Sequence, residues 1–283
     1  MRIENWELGI GTNYGFIMKK VKEIAKAIED FAPLRLKESW DNPGLQVGDP
    51  EMYVSGILLC LDVTEEILQE AIKRDCNMIV SHHPLIFGGL KRLTGSTPVE
   101  RIAADALRHN IAIYSAHTNL DSTYEGVSYE MAHILGLTDC RPLELSANGN
   151  ERQGLGIVGN ISPTPKLEFL RKVRDVFEVK DLRYSAQTPG IVVRKVALCG
   201  GSGGSLLKEA LESGADVYIC GDLKYHDFTS YGTEILLADI GHFESELCSR
   251  KILFRAIREQ IPDCVIYFSE CERNPIRVLN NES

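Results

Sequence analysis

Apolar residues recur at helical spacing from Val21 through Ile24, Ala25 and Ile28 to Phe31, which predicts an amphipathic helix starting just after Met18 and stopping before Pro33. Residues 1–17 follow neither a helical nor an alternating pattern and are read as an extension with no assigned function. Trp40-Asp41-Asn42-Pro43-Gly44 gathers turn formers ahead of Leu45-Gln46-Val47-Gly48 and predicts a structured loop. Beyond it, continuous apolar runs at Val54–Cys60 and Met78–Val80 predict buried strands on either side of a helix carrying Ile67, Leu68 and Ala71.

This unit occurs twice. Val54–Cys60 falls on Val193–Cys199, Ile67–Ala71 on Leu206–Ala210, and Met78–Val80 on Val217–Ile219. Each copy reads strand, turn, helix, strand, the spacing of a crossover that lays the second strand parallel to the first. Two copies of this length indicate a duplicated domain, not a stacked array. Each is followed by a further strand, Ile111–Tyr114 after a helix over 100–109, and Ile235–Ala238. A helix with Leu167, Leu170, Val173 and Phe177, a long helix from Glu244 to Gln260 and a last strand Val265–Phe268 complete the pattern. The expected fold is α/β: two related three-layer halves, 18–145 and 146–283, with largely parallel sheets and a site between them. The C-terminal segment is free to pack back on the first half.

In open parallel sheets, ligands bind beyond the carboxyl ends of the strands. Ser81-His82-His83-Pro84, His117-Thr118-Asn119-Leu120-Asp121, Gly221-Asp222 with Lys224-Tyr225-His226, and Gly241-His242 with Glu246 all fall there. On extended backbone His82 and His83 point to opposite sides, so one ion could not easily take both, but two ions could. His242 and Glu246 stand four apart, as do His117 and Asp121, so a histidine and a carboxylate reach one site from a helix start. Imidazole with carboxylate suits Zn, Mn or Fe(II). His109 and His133 lie in ordinary helix patterns and are read as hydrogen-bonded structural residues. Cys199-Gly200-Gly201-Ser202-Gly203-Gly204-Ser205 lacks the ending of a P-loop, and reads as a tight turn as readily as an anion cradle.

Composition narrows the field of partners. With 31 Lys+Arg against 40 Asp+Glu in 283 residues, the net charge of -9 argues against broad binding to nucleic acid or anionic lipid. No apolar run reaches the length of a membrane span and no secretory signal pattern is seen, which places the protein in the cytoplasm as an expectation. Eight cysteines are spread through the chain without a CxxC, and Cys60, Cys199 and Cys220 sit in strand-like runs, so they are read as reduced packing residues.

Together the motifs resemble the family of GTP cyclohydrolase I type 2 homologs, also called NGG-interacting-factor-three-like proteins, in the short form without an inserted middle domain. The likeness runs from about Met18 to the end. It implies two divalent ions per subunit, with His82 and Asp121 on one, His83 and His242 on the other, and Glu246 on both. It also implies a toroidal homohexamer, a trimer of dimers. Pro43 and Ser128 depart from the family pattern, and neither is among these ligands. The function expected is that of a divalent-metal-dependent hydrolase acting on a small, nucleotide-like substrate, GTP ring opening being the reaction the family name suggests. His117 or His226 would transfer protons. The alternative is a non-catalytic metal-binding scaffold or partner-binding protein.

Overall fold

The computed structural model describes residues 18–186 and 190–279, so the extension at 1–17 lies outside the described residues. In chain order the elements are α1 Val21–Phe31, β1 Gly44–Val47, β2 Ile57–Cys60, α2 Glu65–Lys73, β3 Met78–Ser81, α3 Pro98–Arg108, β4 Ala112–Ser115, α4 Thr118–Ser122 and α5 Val127–Leu135. There follow β5 Thr138–Leu145, β6 Gly154–Pro165, α6 Lys166–Val176, β7 Arg183–Tyr184, β8 Val192–Ser202, α7 Leu207–Glu212, β9 Val217–Gly221, α8 Tyr225–Tyr231, β10 Leu236–Asp239, α9 His242–Glu246, α10 Ser249–Gln260 and β11 Ile266–Phe268. No helix among the described residues is long and apolar enough to cross a membrane.

Two sheets form the frame, ordered β1-β4-β3-β2-β11 and β5-β6-β8-β9-β10-β7. The repeated unit is a parallel crossover in both: β2 pairs with β3 and β8 with β9 in parallel, and β4 and β10 extend each set. The first sheet is parallel apart from β1. The second is mixed, because β5, β6 and β7 add antiparallel strands at its edges. β5 belongs to this second sheet, so the sheets divide before Thr138 rather than after Leu145.

Strand alternation sorts the repeat into layers. Ile57, Leu59, Met78 and Val80 face a central core, as do their counterparts Val196, Leu198, Val217 and Ile219. Leu58, Cys60 and Ile79 pack outward against Ile67, Leu68 and Ala71 of α2. Ala197, Cys199 and Tyr218 do the same against Leu206, Leu207 and Ala210. The central core is shared: residues of α1, α5, α6 and α10 fill the space between the sheets. This common core fixes the strand ends of one sheet relative to the other.

Two expectations about helices change. α6 buries Phe169, Leu170 and Val173 while Leu167 is exposed, because the stripe facing the second sheet begins at Phe169. The predicted helix from Glu244 is interrupted at Leu247 and Cys248, so His242 and Glu246 ride on a short helix of their own.

β11 lies parallel to β2, which carries the C-terminal segment onto the first sheet. Glu70 of α2 holds the segment by accepting hydrogen bonds from Ser269 Oγ (2.6 Å), the Glu270 amide (3.0 Å) and the Cys271 amide (3.3 Å). Burial works against the charge, yet the Cys271 thiol, which donates to Glu70 at 3.0 Å, together with these donors holds the Glu70 pKa at about 2. A depressed carboxylate contributes stability that is complete above its unfolded pKa of about 4.3 and is lost as pH falls through the folded value. Docking of the C-terminal segment should therefore weaken between about pH 4 and pH 2. The Glu270 and Cys271 amide resonances are expected to titrate with a midpoint near 2, and a midpoint above 4 would show that these hydrogen bonds do not govern Glu70.

Candidate metal centre

The carboxyl ends of β3 and β4 meet α9, at the start of which stands His242, and the side chains predicted as ligands converge there. Glu246, nearly fully buried, is central. Its Oε2 lies 2.9 Å from His83 Nε2 and 2.9 Å from His242 Nε2, and those two nitrogens are 3.3 Å apart. Its Oε1 lies 3.7 Å from His82 Nε2, which is 3.6 Å from Asp121 Oδ1. Donor atoms about 2.0–2.1 Å from a tetrahedral ion stand roughly 3.3 Å from one another, so His83, His242 and Glu246 have the spacing of a coordination shell, and His82 Nε2 stands within 3.7 Å of a carboxylate oxygen on either side. One carboxylate thus addresses two neighbouring positions, one oxygen to each.

The imidazoles are aimed. His82 Nδ1 donates to the Ala116 carbonyl (2.8 Å), His83 Nδ1 to Asp62 (2.8 Å), His117 Nδ1 to Asp41 (2.9 Å) and His242 Nδ1 to Asp222 (2.7 Å). Fixing the proton on Nδ1 leaves each Nε2 lone pair for the centre, the arrangement that orients metal-binding histidines. His82 Nε2 and Asp121 Oδ1 are buried and have no hydrogen-bond partner among the described residues. Such orphaned atoms are costly unless a cation or proton joins them. The residues present therefore fit a divalent ion.

Electrostatics point the same way. Burial opposes charge on His83, but Asp62 and Glu246 raise its pKa to about 10; Glu246 and Asp222 likewise raise His242 to about 9. Burial would push Glu246 up, yet the surrounding imidazoles hold it well below the usual carboxylate range. Asp121 is raised by burial, with His82 offsetting only part of the effect. The pocket attracts positive charge.

Glycine is required at one point of this cradle. Gly201 has φ of 62°, and a Cβ there would overlap Glu246 Oε1. Its N–H donates to Ser245 Oγ at 2.9 Å, tying the glycine-rich loop to α9. Residues Cys199–Ser202 of the glycine-rich motif form the end of β8 beside the cluster, and only a short helix follows.

His117 also reaches the centre: a ring nitrogen of it lies within 4.8 Å of those of His82 and His83. His226 does not join them. It is exposed on the first turn of α8 with its ring 5.5 Å from Tyr225. Sequence reasoning assigned no role to Asp62, Asp41 or Asp222, which orient the imidazoles. Their position in loops beyond strands or beside the strand-end motifs was the available signal.

Fold and site together define an α/β protein whose two sheets hold between them a histidine–carboxylate cluster able to take a metal ion. The chain belongs to the Duf34/NIF3 (NGG1p interacting factor 3) family, whose model matches residues 19–275. It is 37% identical over 229 residues to the GTP cyclohydrolase 1 type 2 homolog of Clostridium acetobutylicum, covering 80% of this chain and 85% of that one. It is 33% identical over 273 residues to NIF3-like protein 1 of Drosophila melanogaster, covering 92% and 90%. Of solved structures, the Bacillus cereus protein related to NIF3 has the same fold, with a TM-score of 0.85 at 23% identity over 93% of this chain and 99% of that one.

Proposed function

We propose that the protein binds two divalent ions, Zn, Mn or Fe(II), and is a hydrolase acting on a small, nucleotide-like substrate. The observation that carries this reading is the bridging position of Glu246 between two sets of aimed donors. His82, Asp121 and Glu246 Oε1 would hold one ion, and His83, His242 and Glu246 Oε2 the other. Two such ions supply Lewis acidity and lower the pKa of water in contact with them.

The chain's own residues do the rest. His117, with its Nδ1–H given to Asp41, keeps Nε2 as the available base beside the cluster, placed to take a proton from an attacking water and return it to a leaving group. Asp41 is itself held by the Thr118 amide at 3.0 Å, so the imidazole cannot swing away cheaply. Ring opening of GTP and cleavage of a phosphoester both suit this arrangement. We extend the proposal to a cytoplasmic homo-oligomer of the toroidal kind, for which sedimentation is the direct check.

The test is elemental analysis followed by a turnover screen against GTP, cyclic nucleotides and generic phosphoesters, with His117→Ala as comparison. Two ions per subunit and a rate that falls roughly 100-fold or more in the variant are expected. Full turnover in His117→Ala would remove it from proton transfer. Asp222→Asn, which leaves every proposed ligand in place, should weaken metal affinity by about 10- to 100-fold in chelator competition.

A second reading draws on where the donors come from. His82 and His83 follow β3 and Asp121 sits on α4 after β4 of the first sheet, while His242 and Glu246 sit on α9 after the second. An ion there would staple the two sheets, as a scaffold requires. Loss of stability on chelation without turnover of any substrate would favour it.

A further inference from the structure

Two large aromatic side chains stand in solvent at the edge of the cluster. Trp40 is 57% and Phe87 54% exposed, although their rings lie 5.7 Å apart. Each also meets His117 edge-on, at 6.1 and 6.2 Å, and His117 lies 5.3 and 5.5 Å from His82 and His83. An aromatic surface therefore runs without a break into the ring of imidazoles. Leaving two such rings in water gives up hydrophobic stabilisation that burial would have supplied.

The pair is also held in place. Asn42 Nδ2 donates to the Ile86 carbonyl (2.7 Å), the Ile86 amide donates to Gln46 Oε1 (3.1 Å), and Gln46 Nε2 donates to the Asn42 carbonyl (2.6 Å). Both main-chain polar groups of the residue before Phe87 are thus fixed by side chains from the Trp40 loop and the strand β1 that follows it. Asp41, next to Trp40, is bonded to His117 and Thr118. These bonds lock two exposed loops at one separation, a constraint the core does not need and a preorganised binding surface does.

We infer that Trp40 and Phe87 form a stacking platform for a planar heteroaromatic ring, presenting it to His117 and the metal cluster. This assignment of substrate class rests on the metal-dependent reading above. The two rings touch each other, so the ligand lies on their shared outer face and is not intercalated between them. Stacking of this kind accepts many rings, since every heterocycle has a π-face, and discriminates against sugars and aliphatic acids.

The test uses the full chain, its metal content verified, in a Trp6→Phe background that leaves Trp40 as the sole tryptophan. Guanosine, adenosine and nicotinamide serve as ring probes, and ribose 5-phosphate as the control without an aromatic ring. Saturable quenching of Trp40 by ring probes but not by ribose 5-phosphate is expected, with half-saturation raised roughly tenfold or more in Phe87→Leu. Metal content and thermal midpoint should be unchanged in that variant. Equal response to ribose 5-phosphate, or no saturable quenching by any ring in metal-loaded protein, overturns the platform while leaving the metal centre standing. A change of sedimentation coefficient in the Trp40→Leu, Phe87→Leu double variant overturns it in favour of a contact between copies of this chain. The converse failure is separable: absence of bound metal in the protein with its ligands intact, ring quenching being retained, would remove the metal reading and leave the platform.

Discussion

Replacing Glu246 by Gln is expected to weaken metal binding by the cluster and to remove most of the thermal stabilisation that a chelator abolishes in the parent protein. Glu246 is the group that both proposed positions share, with Oε2 2.9 Å from two imidazole nitrogens and Oε1 3.7 Å from a third. An amide keeps the shape but loses the charge, and it replaces one acceptor oxygen by an NH2 that cannot coordinate a cation. Because removing a mere orienting partner costs about 10- to 100-fold in metal affinity, loss of a shared ligand should cost at least about 100-fold. In the parent protein, free metal at a thousand times its dissociation constant stabilises the fold by about 4 kcal/mol. For a chain of this size that corresponds to a rise in melting temperature of roughly 10 °C. Elemental analysis and melting curves with and without chelator read both effects. An unchanged metal-to-protein ratio in Glu246→Gln would show that the carboxylate is not a ligand.

Gly201→Ala should do comparable damage without touching a proposed ligand. The left-handed backbone at Gly201 costs an alanine about 1–2 kcal/mol by itself. In addition the new methyl would overlap Glu246 Oε1 and lie 3.3 Å from His242 Cε1, so either the loop or Glu246 must leave its place. The expected result is a lower melting temperature together with loss of stoichiometric metal. Gly136→Ala separates the two causes. Gly136 ends α5 with φ of 76°, and a Cβ there meets nothing within 4 Å, so it should show the backbone penalty alone and bind metal normally. Equal metal loss in both variants, or in neither, would refute the crowding argument.

The parts of this fold that were legible in the chain are those governed by local or repeated pattern. Matching apolar runs at Val54–Cys60 and Val193–Cys199 identified the duplicated crossover, and the structure places corresponding residues of the two copies on corresponding faces. The antiparallel edges of the second sheet were not legible. β5, β6 and β7 are exposed or interrupted over much of their length, so they carry little of the continuous apolar signal that marks a buried parallel strand. The break at Leu247 and Cys248 was hidden for a different reason, since both residues keep right-handed helical dihedral angles and no Pro or Gly marks the interruption.

The sequence by itself determined that the chain is α/β and duplicated, and that its histidines and carboxylates fall just beyond the carboxyl ends of strands. Residue type and periodicity suffice for both conclusions. Which nitrogen of each imidazole faces the centre was decided only in three dimensions. Each orientation depends on an acceptor between 20 and 76 residues away, brought within 2.9 Å by the packing of two sheets on one core. The same packing set Gly201 against Glu246 and left Trp40 and Phe87 side by side in solvent, because distance along the chain says nothing about which loops the shared core will juxtapose.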